Sequence, residues 1–207
     1  MSEAPLRFEQ GDDAVEVWRA DLYGLLARLW IAPPDSELMQ RLQAAPPASD
    51  AGATLAAPWQ GLLDVMKTTG VASMTEEFDT LFQGVGKPDI FPYGSYYLSG
   101  FLNERPLVHL RKHLDELGLA RDEARAETED HVAFVCEVMR YLIAGEDAAV
   151  CNLESQRRFF RAHVQTWIEA FCDAVAAHPG ASAYRAVAEL TRAFVQVEAQ
   201  GFDMLET

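Results

Sequence analysis

Four groups of side chains in this chain could carry chemistry. Asp130 and His131 are adjacent, with Glu127 just before them, which offers carboxylates and an imidazole for proton transfer or for holding a cation. His109 and His113 stand four residues apart, a spacing that lets one helix face present both to a metal. The glutamate of a zinc-protease helix is missing between them, and Leu107, Leu110 and Leu114 run beside them, so ordinary boundary histidines are expected and not a metal site. Cys136, Cys151 and Cys172 are odd in number and fit no metal spacing, which reads as buried or free thiols in a reducing compartment. Residues 91–97 crowd Phe91, Tyr93, Tyr96 and Tyr97 among Pro92 and Gly94, preceded by Gly84, Gly86 and Pro88. Gly and Pro mark a loop, and loops favour polar side chains, so an aromatic loop either plugs a gap between helices or receives a ligand. Finally, no phosphate-binding glycine loop, metalloprotease helix or serine-hydrolase elbow occurs.

Asp130 and His131 also admit two readings. Adjacent helical residues point about 100° apart and so do not pair with each other. Asp130 can simply favour a helix N-terminus while His131 packs, or both can form a ligand-facing patch. His131, Phe134, Val138 and Tyr141 fall along one row of the helix, with Asp130 and Glu137 on another.

The elements that must position these groups are helical. Val15, Trp18, Leu22, Leu25, Leu26 and Leu29 trace one stripe over 14–30, with Asp12 or Asp13 as cap and Pro33-Pro34 as stop. Short helices are predicted over 36–44 and about 55–66, separated by the loop 45–54. Ser73 with Glu76 has the form of a capping box launching a helix that ends at Phe82. Residues 105–117 carry a leucine face closed by Gly118. The polar stretch 119–127 reads as a hinge. Thr128 is the expected cap of an apolar helix reaching Ala144, with Glu129 and Asp130 in its first turn. Asn152 is the expected cap of one long helix to Ala177, and a last helix covers about 182–200. No strand-like alternation and no repeat is present. The expectation is one all-α domain over 1–207 with a lobe at about 1–118, a hinge at 119–127 and a second lobe at 128–207.

Seventeen basic residues against 32 acidic ones give a net charge of −15. That argues against nucleic acid and against an anionic membrane surface as partners. It favours cationic ones. The N-terminus has neither the basic nor the apolar region of a signal peptide, and no stretch approaches the ~20 apolar residues of a membrane span, so a cytoplasmic protein is expected.

Three motifs together resemble the TorD/DmsD/NarJ family. Glu77, Phe78, Leu81, Phe82 and Gly84 fit its first, Pro92, Tyr93, Ser95 and Tyr97 its second, and Glu127, Asp130, His131 and Met139 its third. Thr128 stands where the family often has proline. The resemblance implies a two-lobed helical chaperone of the cytoplasm, monomer or homodimer, open to domain swapping at its hinge. It implies binding to the twin-arginine leader, or a related remnant leader, and to the body of a molybdopterin-dependent oxidoreductase subunit while the client's cofactor is loaded before export. On this reading Tyr93, Ser95, Tyr96, Tyr97, Glu127, Asp130 and His131 bind the leader, and Glu77, Phe78, Leu81, Phe82, Gly84 and Pro92 are structural. No cofactor, no metal and no catalysis are expected of the chaperone itself. A leader of two guanidinium groups and an apolar helix calls for carboxylates beside an aromatic-lined groove. The competing expectation is a small all-α enzyme using Asp130 and His131 for proton transfer.

Overall fold

The computed structural model describes residues 10–47, 52–84, 87–120 and 126–204. Ten α-helices order the described chain: α1 Gln10–Ile31, α2 Ser36–Ala44, α3 Gly52–Thr68, α4 Val71–Phe78, α5 Gly94–Ser99, α6 Arg105–Glu116, α7 Val132–Ala144, α8 Leu153–His163, α9 Ile168–Ala177 and α10 Ala183–Met204. Asp79–Gln83 forms a π-helical turn continuing α4. Among the described residues there is no strand, only an isolated bridge between Tyr93 and His131. The all-α expectation holds, and no described helix is long and apolar enough to cross a membrane.

Helix α7 is the axis of the packing. Val132, Ala133, Val135, Cys136, Met139 and Leu142 are buried, so most of its circumference is covered, as its apolar sequence requires. It packs against α1 on one side and α8 on another, while α10 packs against α3 and α9. One apolar cluster runs through all of these. At its aromatic centre Trp30 meets Phe171 at 4.7 Å between ring centroids and Phe82 at 5.8 Å, with Phe78 and Tyr184 close by. The Trp30 indole is satisfied there by the Thr191 hydroxyl at 3.1 Å.

Several predicted boundaries change, each for a local reason. Helix α1 begins at Gln10, ahead of Asp12 and Asp13, whose side chains lie outside the described residues. Val15 and Trp18 are exposed, so the predicted stripe is buried only from Leu22, while Arg19 and Ala20 are the first buried residues of α1. Helix α4 is capped from Gly70, which leaves Ser73 inside the helix rather than at its start. The Gly- and Pro-rich loop contains a one-and-a-half-turn helix, α5, closed by Gly100 in the left-handed region. The cap of α7 is His131, whose Nδ1 accepts the Ala133 amide at 3.1 Å; Thr128, Glu129 and Asp130 precede it. Asn152 does cap α8, accepting the Ser155 amide at 3.0 Å, but the long helix breaks at 164–167 into α8 and α9. The Trp167 indole turns back onto the freed His163 carbonyl at 2.7 Å. Most of the 119–127 hinge, residues 121–125, lies outside the described residues, as do Val85 and Gly86 of the motif loop and 48–51 of the loop before α3.

Candidate functional site: a stitched loop beside an apolar groove

The first motif holds helix ends together. Glu77 on α4 accepts three backbone amides at the start of α10: Ser182 at 2.8 Å, Ala183 at 3.0 Å and Tyr184 at 2.8 Å. A carboxylate at a helix N-terminus satisfies orphan donors and opposes the positive end of the dipole. Phe78 and Leu81 are buried below it, and Phe82 packs on Trp30 and Tyr184. The chain leaves the π turn through Gly84, at φ +44, where a Cβ would sit 2.3 Å from the Lys87 carbonyl oxygen. Only glycine fits that corner.

The second and third motifs are stitched to each other by backbone. The Gly94 amide donates to the Asp130 carbonyl and the Val132 amide to the Pro92 carbonyl, both at 2.9 Å, which makes the Tyr93–His131 bridge. The Asp130 carboxylate then accepts the Ser95 amide at 2.8 Å and the Thr128 hydroxyl at 2.6 Å. It therefore caps α5 from outside the helix. The Tyr93 hydroxyl donates to Glu127, and its ring stands edge-on to His131 at 5.1 Å. Burial first, then Glu127, pushes the Tyr93 phenol well above its ordinary range. Ser95 is buried and its hydroxyl accepts the Asn103 amide at 3.2 Å. Tyr97 stacks on Trp167 at 5.9 Å, Tyr96 packs on Phe91 at 4.7 Å, and Lys87 lies 5.5 Å over the Phe91 ring.

The loop and the head of α7 are thus brought together, but the seven residues assigned to a ligand divide. Tyr93, Tyr96, Tyr97 and Glu127 keep part of their surface in solvent. Ser95, Asp130 and His131 face inward; Asp130 and His131 are each only 4% exposed. Burial pushes the His131 imidazole down to about 4, with Glu127 and Asp130 opposing more weakly, so it is neutral at pH 7. The Asp130 carboxylate goes to Ser95 and Thr128, while the His131 Nδ1 goes to Ala133. The Asp130 carboxylate and the His131 ring thus bond to different partners and not to each other.

His109 and His113 part as well. His109 is exposed and His113 buried; His113 Nδ1 pairs with His163 Nε2 at 2.9 Å instead. Burial lowers the His113 and His163 rings and the nearby Arg158 guanidinium lowers them further, with Glu116 opposing weakly at His113 and the His113 ring adding to the shift that holds His163 at about 4. Among the described residues no three His, Cys, Asp or Glu converge on a point where an ion could sit.

Next to the stitched junction lies a recess of about 670 Å³ that the sequence did not delimit. Its walls are the end of α1 (Ala27, Arg28, Ile31), the end of α6 and the residues after it (Leu114, Leu119, Ala120), and the outer row of α7 (Ala133, Phe134, Val138, Tyr141). Two carboxylates belong to it. Glu137 is paired with Arg140 at 2.7 Å, and Glu129, one residue before Asp130, takes both arms of the Arg111 guanidinium at 3.0 and 2.9 Å. Arg28 at the edge is held 3.6 Å from Asp35. The Phe134–Val138–Tyr141 row was visible in the helical spacing of α7. The α1 and α6 walls were not, because nothing in a sequence states which helix lies across from another.

Fold and site together define an all-helical protein with an apolar, carboxylate-bearing groove beside a loop zipped to its central helix. Comparison with known proteins gives the group. The nitrate reductase delta subunit family model matches residues 49–173, and the chain belongs to that family, the one that includes the TorD chaperones. It is 28% identical over 139 residues to the chaperone protein TorD of Vibrio cholerae, a match covering 64% of this chain and 63% of that protein. It is 25% identical over 209 residues to the chaperone protein TorD of Photobacterium profundum, covering 96% and 89%. The TorD of Vibrio parahaemolyticus is 26% identical over 133 residues, 60% and 62%. The chain therefore spans less than two thirds of the Vibrio relatives' length and most of the Photobacterium one.

Proposed function

We propose that this protein is a cytoplasmic chaperone that holds the leader of a molybdopterin-dependent oxidoreductase subunit, a twin-arginine signal, during assembly of the client and loading of its cofactor. The protein acts by binding and carries out no reaction of its own. The observation that carries this reading is the groove between α1, α6 and α7, whose apolar floor and two carboxylates match a helix that begins with guanidinium groups. An amphipathic helix laid in a groove buries its apolar side chains, while the carboxylates accept from arginine. Relatives named for a chaperone role and the net charge of −15 support the same reading. The partly exposed tyrosines 93, 96 and 97 and Glu127 extend the contact along the stitched loop. Ser95, Asp130 and His131 contribute by fixing that loop in place.

Isothermal titration with a synthetic leader tests the proposal. A peptide with two adjacent arginines ahead of its apolar segment binds, and its twin-lysine counterpart binds more weakly, because ammonium cannot copy the planar fork. Raising salt weakens the long-range attraction, which is screened beyond ~8 Å at physiological ionic strength, and leaves an apolar remainder. Absence of binding by the arginine peptide at low salt refutes the proposal.

A further inference from the structure

The most informative group in the groove is already occupied by an arginine. Glu129 is only 11% exposed at its side chain, yet its carboxylate meets the Arg111 guanidinium through two parallel N–H donors, Nε to Oε1 and Nη2 to Oε2. Two-armed pairing of this kind is specific to a planar guanidinium. The carboxylate is held by the turn that leads into α7, the same turn whose Asp130 is fixed by Ser95 and Thr128, so its position is rigid. Arg111 comes from the surface of α6, with 46% of its side chain in solvent and a long flexible stem. One partner is fixed and lines the groove; the other is able to leave.

Resting on the leader-binding proposal, we infer that Glu129 is the carboxylate that reads an incoming arginine, and that Arg111 is a built-in competitor which the ligand's guanidinium displaces. Exchange of one guanidinium for another conserves both hydrogen bonds, so the swap loses nothing at Glu129. A lysine, which gives a single point contact, loses one arm. Arg111 itself sets the overall affinity rather than the choice of ligand. Every ligand must displace the same resting pair, so the pair lowers all affinities by one common factor, the fraction of molecules in which Arg111 has left Glu129.

Titration of the full-length protein with the twin-arginine and twin-lysine peptides separates these roles. Arg111→Ala tightens both peptides by the same factor, about two- to fivefold, the range expected for a surface pair. Lys112→Ala is the control. It makes the same change in net charge one residue away, and Lys112 has no ion-pair partner among the described residues, so it leaves both affinities within experimental error. Glu129→Gln weakens the arginine peptide by about tenfold or more and removes its advantage over the lysine peptide. Should Glu129→Gln fail to fold, the Arg111 side-chain N–H resonances of the wild-type protein give the same answer: they move to the position of a free guanidinium when the arginine peptide is added. If the wild type prefers the arginine peptide but Arg111→Ala behaves like Lys112→Ala, or if those resonances stay in place, the competitor is refuted while leader binding stands. If the arginine preference survives in Glu129→Gln, the reading role of Glu129 is refuted. If no variant binds either peptide, the leader proposal falls and this inference with it.

Discussion

His131 illustrates how one residue can serve the scaffold while looking like part of a catalytic pair. It caps α7, bridges to Tyr93 and packs against Phe134 at 5.8 Å. Its burial lowers the folded-state value from 6.5 to about 4. Between those values the unfolded chain binds a proton that the folded protein refuses, so stability falls as pH drops from 6.5 towards 4 and is fully present above 6.5. His163, depressed in the same direction by burial and by His113, adds to the same window. Replacement of His131 by Asn keeps a capping acceptor and removes the titration. Urea unfolding at a series of pH values should show a shallower acid loss in His131→Asn than in the wild type, by up to about 3 kcal/mol at pH 4. Parallel curves for the two proteins would mean that the imidazole titrates normally and is reached by water. Glu77 makes the same point without titration: a motif carboxylate that sequence assigns only as structural is the cap of a helix 105 residues away.

At the scale of elements, the close approach of α5 to the α8–α9 break decides how the motif loop sits. Gly94 opens α5 where a Cβ would stand 3.0 Å from the Trp167 ring. Trp167 in turn stacks on Tyr97 and closes the end of α8. Gly94→Ala should therefore cost about 1–3 kcal/mol and shift the tryptophan fluorescence, since the rigid ring has to move. Gly61 lies in α3 with nothing within 4 Å of its Cβ position, and Gly61→Ala should raise stability by about 0.5–1 kcal/mol. Equal effects of the two substitutions, measured by urea midpoints, would show that α5 does not rest on Trp167. The break itself was invisible in sequence, because residues 153–177 keep a continuous apolar stripe and contain no Gly or Pro. The chain is kinked by what Trp167 packs against rather than by a local breaker.

At the scale of the molecule, a buried polar knot ties together helices from both ends of the chain. Arg19 on α1 donates to Glu198 on α10 at 2.7 and 2.8 Å, Tyr23 adds a third bond to the same carboxylate at 3.1 Å, and Arg19 also reaches Gln156 on α8 at 3.0 Å. Gln156 closes the circuit on the Leu142 carbonyl of α7 at 3.2 Å. Arg19 would keep Glu16 at 2.6 Å without Glu198, but removing Arg19 leaves the buried Glu198 charge with only Tyr23, so Arg19→Met should cost about 3–5 kcal/mol, whereas the double change Arg19→Met with Glu198→Leu should cost much less. Urea unfolding of both variants checks this, and a double variant as unstable as the single one would show that the bonds themselves, rather than the stranded charge, carry the stability.

Sequence alone determined the helical class, the stops at Pro33 and Gly118, the apolar character of α7 and the motif residues that place the chain in its family. These follow from periodicity and from turn chemistry, which act over a few residues and are written in local order. It also grouped the 91–97 loop with the head of α7, through the resemblance and not through any physical rule; that the two touch is a finding of the tertiary structure. Tertiary structure alone decided that Asp130 points at Ser95, that His131 and not Thr128 starts α7, that His113 meets His163, and that Glu129 rather than Asp130 faces the groove. A carboxylate looks the same in sequence whether it caps a buried amide or waits for a cation. Which of the two it does depends on what another helix brings within 3 Å, and that is fixed only when α1, α6 and α7 pack.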